Sequence, residues 1–209
     1  MEINFTSHNI NKQNFGRTRL FNLKLNQVLP DNTTRKVDAF ISELGKEDMG
    51  EIVPFLGKLG KTRWGRQILH MFQTQFGEKG EIDPLKRFFV VECPEFPMGE
   101  QAKAIANIKI NPGNIVLNRL NSATDCNPNE KIKGAGASML YLTSKIAKTL
   151  DKNSFTLESS SDGFLFYNHM GLKYYNDDGT KNFYLSSFDL DDFILKLENK
   201  YSIREIAKI

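Results

Sequence analysis

The sequence predicts a mixed α/β domain, a mostly antiparallel sheet with helices packed on its faces. Three observations carry this. Short alternating or apolar runs bounded by Gly, Pro and Asn recur along the chain, as strands require. Between them lie segments whose apolar residues fall three and four apart, the helical period. Asn111-Pro112-Gly113-Asn114 joins two of the runs as a hairpin turn, which makes those neighbours antiparallel. With 209 residues, 40% of them hydrophobic, the chain is long enough for one such domain and its core.

Arg17 to Leu25 alternates weakly, as a strand does, and Pro30-Asp31-Asn32 reads as a turn. Lys36 to Leu44 places Val37, Ala39 and Ile41 on one face at period two, a strand that Gly45 breaks. Met49, Ile52, Val53 and Leu56 follow at helical spacing, with Glu47 and Asp48 near the start, where the helix dipole favours acids. Pro54 leaves the boundary of this helix open. A second helix fits Thr62 to Phe76, ended by Gly77; its four-residue spacing assigns Trp64, Phe72 and Phe76 to the core.

Phe88 to Cys93 is a buried strand stopped by Pro94 and Pro97, and Gln101 to Ile110 and Ile115 to Ala123 are the arms of the hairpin. Past a polar loop, Thr124 to Glu130, a helix runs from about Gly134 to Leu150 with Met139, Leu140, Ile146, Ala147 and Leu150 inward. Phe155 to Glu158 is a strand, and Asp162 to Met170 a short helix closed by Gly171. Leu172 to Asn176 and Asn182 to Ser187 form a last hairpin across Asp177-Asp178-Gly179. Leu190, Phe193, Ile194, Leu197 and Tyr201 mark a C-terminal helix with Asp189 as its N-cap. Residues 1–34, rich in Asn, read as an extension packed on or lying beside a domain formed by 35–209.

Composition narrows the functions. The net charge of +3 is small and spread along the chain, so no nucleic-acid partner is expected. Two cysteines, Cys93 and Cys126, give no disulfide framework, and no Cys/His cluster has metal spacing. Met1 to Gln27 has no cationic stretch leading into an apolar one, and no apolar run is long enough for a bilayer. The expectation is a cytoplasmic protein without a metal.

The segment that carries chemistry is Lys131-Ile132-Lys133-Gly134-Ala135-Gly136-Ala137-Ser138, between a strand and a helix. Small residues there let backbone N–H groups approach a ligand, and the helix N-terminus behind them favours an anion, most naturally a pyrophosphate. Lys131 and Lys133 add charge. A dinucleotide fingerprint would need a third glycine where Met139 stands, and a P-loop would need Gly-Lys-Ser/Thr. Read alone, the segment also fits a glycine-softened loop before an amphipathic helix.

Here the chain resembles the GNAT family of N-acetyltransferases. Their acyl-CoA loop reads Arg/Gln-x-x-Gly-x-Gly/Ala between a strand and a helix; this chain has Lys131-x-x-Gly134-x-Gly136. Downstream the family has an aromatic-Tyr pair followed by Gly-Phe; this chain has Phe166-Tyr167-Asn168-His169-Met170-Gly171-Leu172. The element order from Lys36 to Ser187 follows the same plan, with a longer loop at Ala123–Glu130.

The resemblance implies transfer of an acetyl group from acetyl-CoA to a primary amine of a small molecule or protein, by a monomer or homodimer. It assigns Leu120, Asn121 and Ser122 to the strand that grips the pantetheine. Lys131, Ile132, Lys133, Gly134, Ala135, Gly136 and Ala137 fall in the pyrophosphate turn, and Ser160 stands where many members carry an Asn that touches the CoA arm. Tyr167 matches the tyrosine that protonates the departing thiolate. Glu92, Asp125 and Glu158 are candidates for a base, and His169 is expected to point away from Tyr167. Gly57 to Arg66, glycine-rich and basic, reads as a solvated loop, or as a mobile lid or wall beside the acceptor, where its charge would suit an acidic group. The competing reading is a catalytically inactive module of the same fold that binds CoA or a partner.

Overall fold

The computed structural model describes residues 17–77, 80–123, 131–161, 163–177 and 179–209. Strands β1 (Thr18–Val28) and β2 (Thr34–Leu44) lead into helices α1 (Ile52–Gly60) and α2 (Arg63–Phe76). Then come β3 (Lys86–Glu92), β4 (Ala102–Ile110), β5 (Ile115–Ser122), the two-residue β6 (Ile132–Lys133) and helix α3 (Ala135–Thr149). The chain ends with β7 (Ser154–Glu158), α4 (Phe164–Met170), β8 (Lys173–Asp177), β9 (Thr180–Ser186), α5 (Ser187–Tyr201) and β10 (Arg204–Glu205). Among the described residues the strands form one sheet in the order β10-β1-β2-β3-β4-β5-β7-β9-β8, with β6 also on β1. Every pairing is antiparallel except that of β5 with β7.

Alternation along the strands sorts the core into two layers. On β3, Phe89 and Val91 face one layer, and Phe88 and Val90 the other. The first layer is covered by α3, α4 and α5, where Phe21 meets Tyr141 edge-on at 5.3 Å. The second is covered by α1 and α2, where Phe72 meets Phe88 edge-on at 5.3 Å. Aromatic pairs of this kind add about 1 kcal/mol each beyond the area they bury.

The N-terminal strand is more than an appendage of the sheet. β1 pairs with β2 from Thr18↔Glu43 to Val28↔Thr34, and Leu20, Phe21, Leu23 and Leu25 are buried in the first layer. Its far edge is covered by β10 at Phe21–Asn22 and by β6 at Asn26–Gln27, which leaves little of that edge open to another chain.

Pro54 lies in the first turn of α1, where a missing N–H costs nothing. The helix breaks instead at Gly57, whose φ of 49° only glycine adopts readily and whose Cβ would lie 2.0 Å from the carbonyl oxygen of Gly99. Thr62 caps α2, its hydroxyl oxygen accepting the N–H of Gly65 at 3.0 Å. At α5 the N-cap is Ser186, not Asp189; Asp189 sits in the first turn and accepts from Ser186 Oγ and from Lys173 Nζ. Cys93 is buried in the first layer, whereas Cys126 lies outside the described residues. No helix among the described residues is long and apolar enough to cross a membrane.

Candidate functional site

The one parallel pair in the sheet comes apart. β5 and β7 are in register from Ile115↔Phe155 to Leu117↔Leu157 and no further. Beyond that point β5 stays with β4, through Leu120↔Ala106 and Ser122↔Ala104, while β7 stays with β9. The cause is local. Asn118 is an extra residue between Asn107↔Arg119 and Ile108↔Leu117, a bulge that bends the strand away. Its Nδ2 donates to Oδ1 of the buried Asn107 at 2.9 Å, and Asn107 Nδ2 donates to the carbonyl of Arg87, which pins the bulge from behind.

The gap opens into a cleft of about 760 Å³ that runs through the sheet from one helical layer to the other. On the first-layer side stands the N-terminus of α3. Its N-cap, Gly134, is left-handed with φ 107°, and a Cβ there would meet the ring of Tyr201 at 2.4 Å. The first helical hydrogen bond runs from Ser138 N–H to the carbonyl of Gly134, so the N–H groups of Ala135 to Ala137 have no intrahelical acceptor. Lys133 and Lys200 flank this turn, Lys200 from the last turn of α5. The result is a cationic rim around backbone donors, the electrostatic setting for an anion.

Tyr167, on α4, forms the floor. It is 8% exposed, edge-on to Phe166 at 5.1 Å and tilted against Phe183 at 5.5 Å, and it lines the cleft. Phe166 in turn lies over Gly136, where a Cβ would sit 3.4 Å from its ring. Ser160 lines the cleft and its hydroxyl accepts the N–H of Gly163, bracing the turn before α4.

Of the residues singled out in the sequence, Leu120, Asn121, Ser122, Lys133, Gly134, Gly136, Ala137, Ser160 and Tyr167 line this one cleft. Three others face elsewhere. Ile132 is buried in the core and paired to Gln27, Ala135 is buried beneath the turn, and Lys131 is exposed with its carbonyl accepting the N–H of Val28. Of the two described base candidates, Glu92 and Glu158, Glu158 lines the cleft. Glu92 is buried at the C-terminal end of β3 and does not line the cleft, accepting from Ser42 Oγ at 2.8 Å and paired with Arg17 and Arg19 at 3.4 Å each. Beside that cluster burial lifts the Asp48 carboxyl to about 6. Asp125 lies outside the described residues.

His169, expected to turn away from Tyr167, lines the same cleft from its exposed edge. Trp64 is also corrected. Its helical spacing with Ile68, Phe72 and Phe76 suggested core, but it is only half-buried and forms cleft wall with Thr62 and Arg63. The segment Gly57 to Arg66 is mostly helix, with Lys61 and Thr62 alone between α1 and α2. Nothing in the sequence marks Arg119, Lys200 and Tyr201 as cleft residues: the bulge at Asn118 resets the alternation of β5, and the period of α5 does not tell which element its last turn meets.

No protein-family model and no curated protein matches the sequence. Solved structures do match in fold. AtaTR bound with AcCoA is similar at a TM-score of 0.51 and 12% identity, over 73% of this chain and 96% of that one. A spermidine N-acetyltransferase SpeG chimera from Vibrio cholerae and hSSAT is similar at 0.50 and 12%, over 74% and 98%. A KacTA–DNA complex is similar at 0.50 and 10%, over 76% and 99%. The chain has the fold of the GNAT N-acetyltransferases.

Proposed function

We propose that this GNAT fold works as an acetyl-CoA-dependent N-acetyltransferase. The observation that carries the reading is the parting of β5 from β7 beside a left-handed Gly134 at the head of α3, which sets an extended slot against an anion cradle. The residues present suit the cosubstrate. Backbone donors of Gly136 and Ala137, with Lys133 and Lys200, line the cleft and suit a pyrophosphate, and the β5 edge beyond Leu117 can pair with an extended amide-bearing arm. Acetyl-CoA supplies its acetyl group as a thioester. In this reading Tyr167, which lines the cleft with its ring held among aromatic neighbours, donates a proton to the leaving sulfur.

The test is thiol release from acetyl-CoA against a panel of amines, run beside calorimetry with CoA. Tyr167→Phe keeps the ring, so CoA affinity is expected to hold while kcat falls by about 10²- to 10⁴-fold. A variant that turns over at the wild-type rate would make Tyr167 structural. Tight CoA binding with no turnover on any amine would turn the protein into a binding module.

A further inference from the structure

The cleft also opens towards the head of α2, and its wall there has a charge pattern of its own. The residues of β5 divide at this point: Leu120 packs into the α3 layer, whereas Asn121 donates from Nδ2 to Thr62 Oγ1 at 2.7 Å on the α2 side. Arg119, two residues before Asn121, shares its face. Its guanidinium carbon lies 5.6 Å from the centroid of the Trp64 ring, and that of Arg63 lies 5.0 Å from the same ring. Two guanidiniums thus share one indole. Neither is ion-paired with a described carboxylate; Arg119 gives one N–H to the carbonyl of Asn118 at 2.8 Å.

Glu158 is the one carboxylate among the described residues that line the cleft. Leu157 before it faces the α3 layer, so Glu158 points to the side of Arg119. Both signs of charge therefore meet beyond the gap, two guanidiniums and one carboxylate, around a flat aromatic surface.

We propose that the acceptor is an amine that carries a carboxylate, held at the carboxylate by Arg63 and Arg119 and at the ammonium by Glu158. The inference rests on the transferase reading and narrows it to a substrate class. A guanidinium binds a carboxylate through two parallel N–H donors, and stacking on Trp64 holds that fork in place before the ligand arrives. A polyamine would bring a second cation to the same two arginines and be repelled. Transfer forms the bond from nitrogen to the acetyl carbon and breaks the bond from carbon to sulfur. Of the two protons the ammonium gives up, one reaches the sulfur through Tyr167 and the other passes to Glu158 and then to solvent.

The experiment compares free amino acids, the corresponding amides, short acidic peptides and a linear polyamine as acceptors in thiol release. The same compounds are titrated by calorimetry into protein saturated with CoA. Free acids are expected to exceed their amides by about tenfold or more in kcat/KM, and a double Arg63→Gln, Arg119→Gln variant to erase that ratio while binding CoA normally. Arg63→Lys with Arg119→Lys keeps charge without the fork and is expected to fall between. Acidic peptides outrunning free amino acids would make the carboxylate source a peptide. Amides or the polyamine matching the acids, or a ratio that survives in the double glutamine variant, would overturn the proposal. If no compound turns over, calorimetry still decides: carboxylates that bind, and are lost in the double variant, keep the site and remove the transferase reading. No carboxylate binding removes the site.

Discussion

Two segments of this chain look alike in sequence, Gly57–Arg66 (GKLGKTRWGR) and Lys131–Ser138 (KIKGAGAS); both are rich in glycine and lysine or arginine, and both run into a helix. Folded, their glycines do different work. At the second segment Gly134 is the N-cap itself, and Gly136, two residues in, leaves the first turn of α3 bare towards the cleft. At the first, the glycines serve packing: Gly57 turns α1 against Gly99, and Gly65 lets α2 come down on the carbonyl of Leu59. There the cleft is met by side chains, Arg63 and Trp64. A glycine thus speaks for a ligand when it sits at a helix head whose open side faces space. It speaks for the fold when its missing Cβ is filled by the protein's own backbone.

Substitutions can break this comparison. Among Gly65, Gly134 and Gly136, the largest effect on the fold is expected at Gly65. A Cβ there would lie 1.9 Å from the carbonyl oxygen of Leu59 and 2.8 Å from the hydroxyl that caps α2, and neither is a mobile side-chain end. Gly65→Ala should cost about 3 kcal/mol, a fall in the thermal midpoint of roughly 6–12 °C for a domain of this size. An unchanged midpoint would mean that the α1–α2 junction relaxes and that its glycines are not there for packing. Gly134→Ala comes next. The left-handed φ of 107° costs roughly 1–2 kcal/mol for a residue with a side chain, and the Tyr201 ring blocks the methyl group at 2.4 Å. Placing Gly134→Ala in a Tyr201→Ala background should return the steric part and leave the backbone part. Full recovery would show that Gly134 is there to seat the ring alone.

Much of the fold was legible in the sequence because it is local. The hairpin at Asn111–Asn114, the inward face of β2 and the stripe of α3 each follow from spacing within a dozen residues. The pairing of β6 and β10 with β1 was not, since two-residue strands have no period and their partner lies over a hundred residues away. The cleft was half legible. The end at the head of α3 is written as Gly134-x-Gly136 before an amphipathic helix. Its other end depends on a bulge at Asn118 and on where the apolar stripe of α2 runs past the edge of the core, leaving Trp64 outside. Neither shows in a chain read one residue after another.

The finest contrast is Gly136→Ala. Gly136 has ordinary helical geometry, and a Cβ there would make an ordinary contact, 3.4 Å from the Phe166 ring. The fold therefore has no need of glycine at this position, and alanine, the better helix former, should raise stability by roughly 0.5–1 kcal/mol. The same methyl group stands on the cleft wall, among the N–H groups of the first turn. If a pyrophosphate lies against them, the added carbon should hold it off and weaken CoA binding by about tenfold, close to 1.4 kcal/mol. Stability and affinity would then move in opposite directions in one variant, whereas Gly65→Ala should lose stability. Thermal unfolding and calorimetry on the same preparation read both quantities. If CoA affinity stays at the wild-type value while the midpoint rises, the head of α3 is not where the anion sits, and the two glycine-rich segments differ less than their geometry suggests.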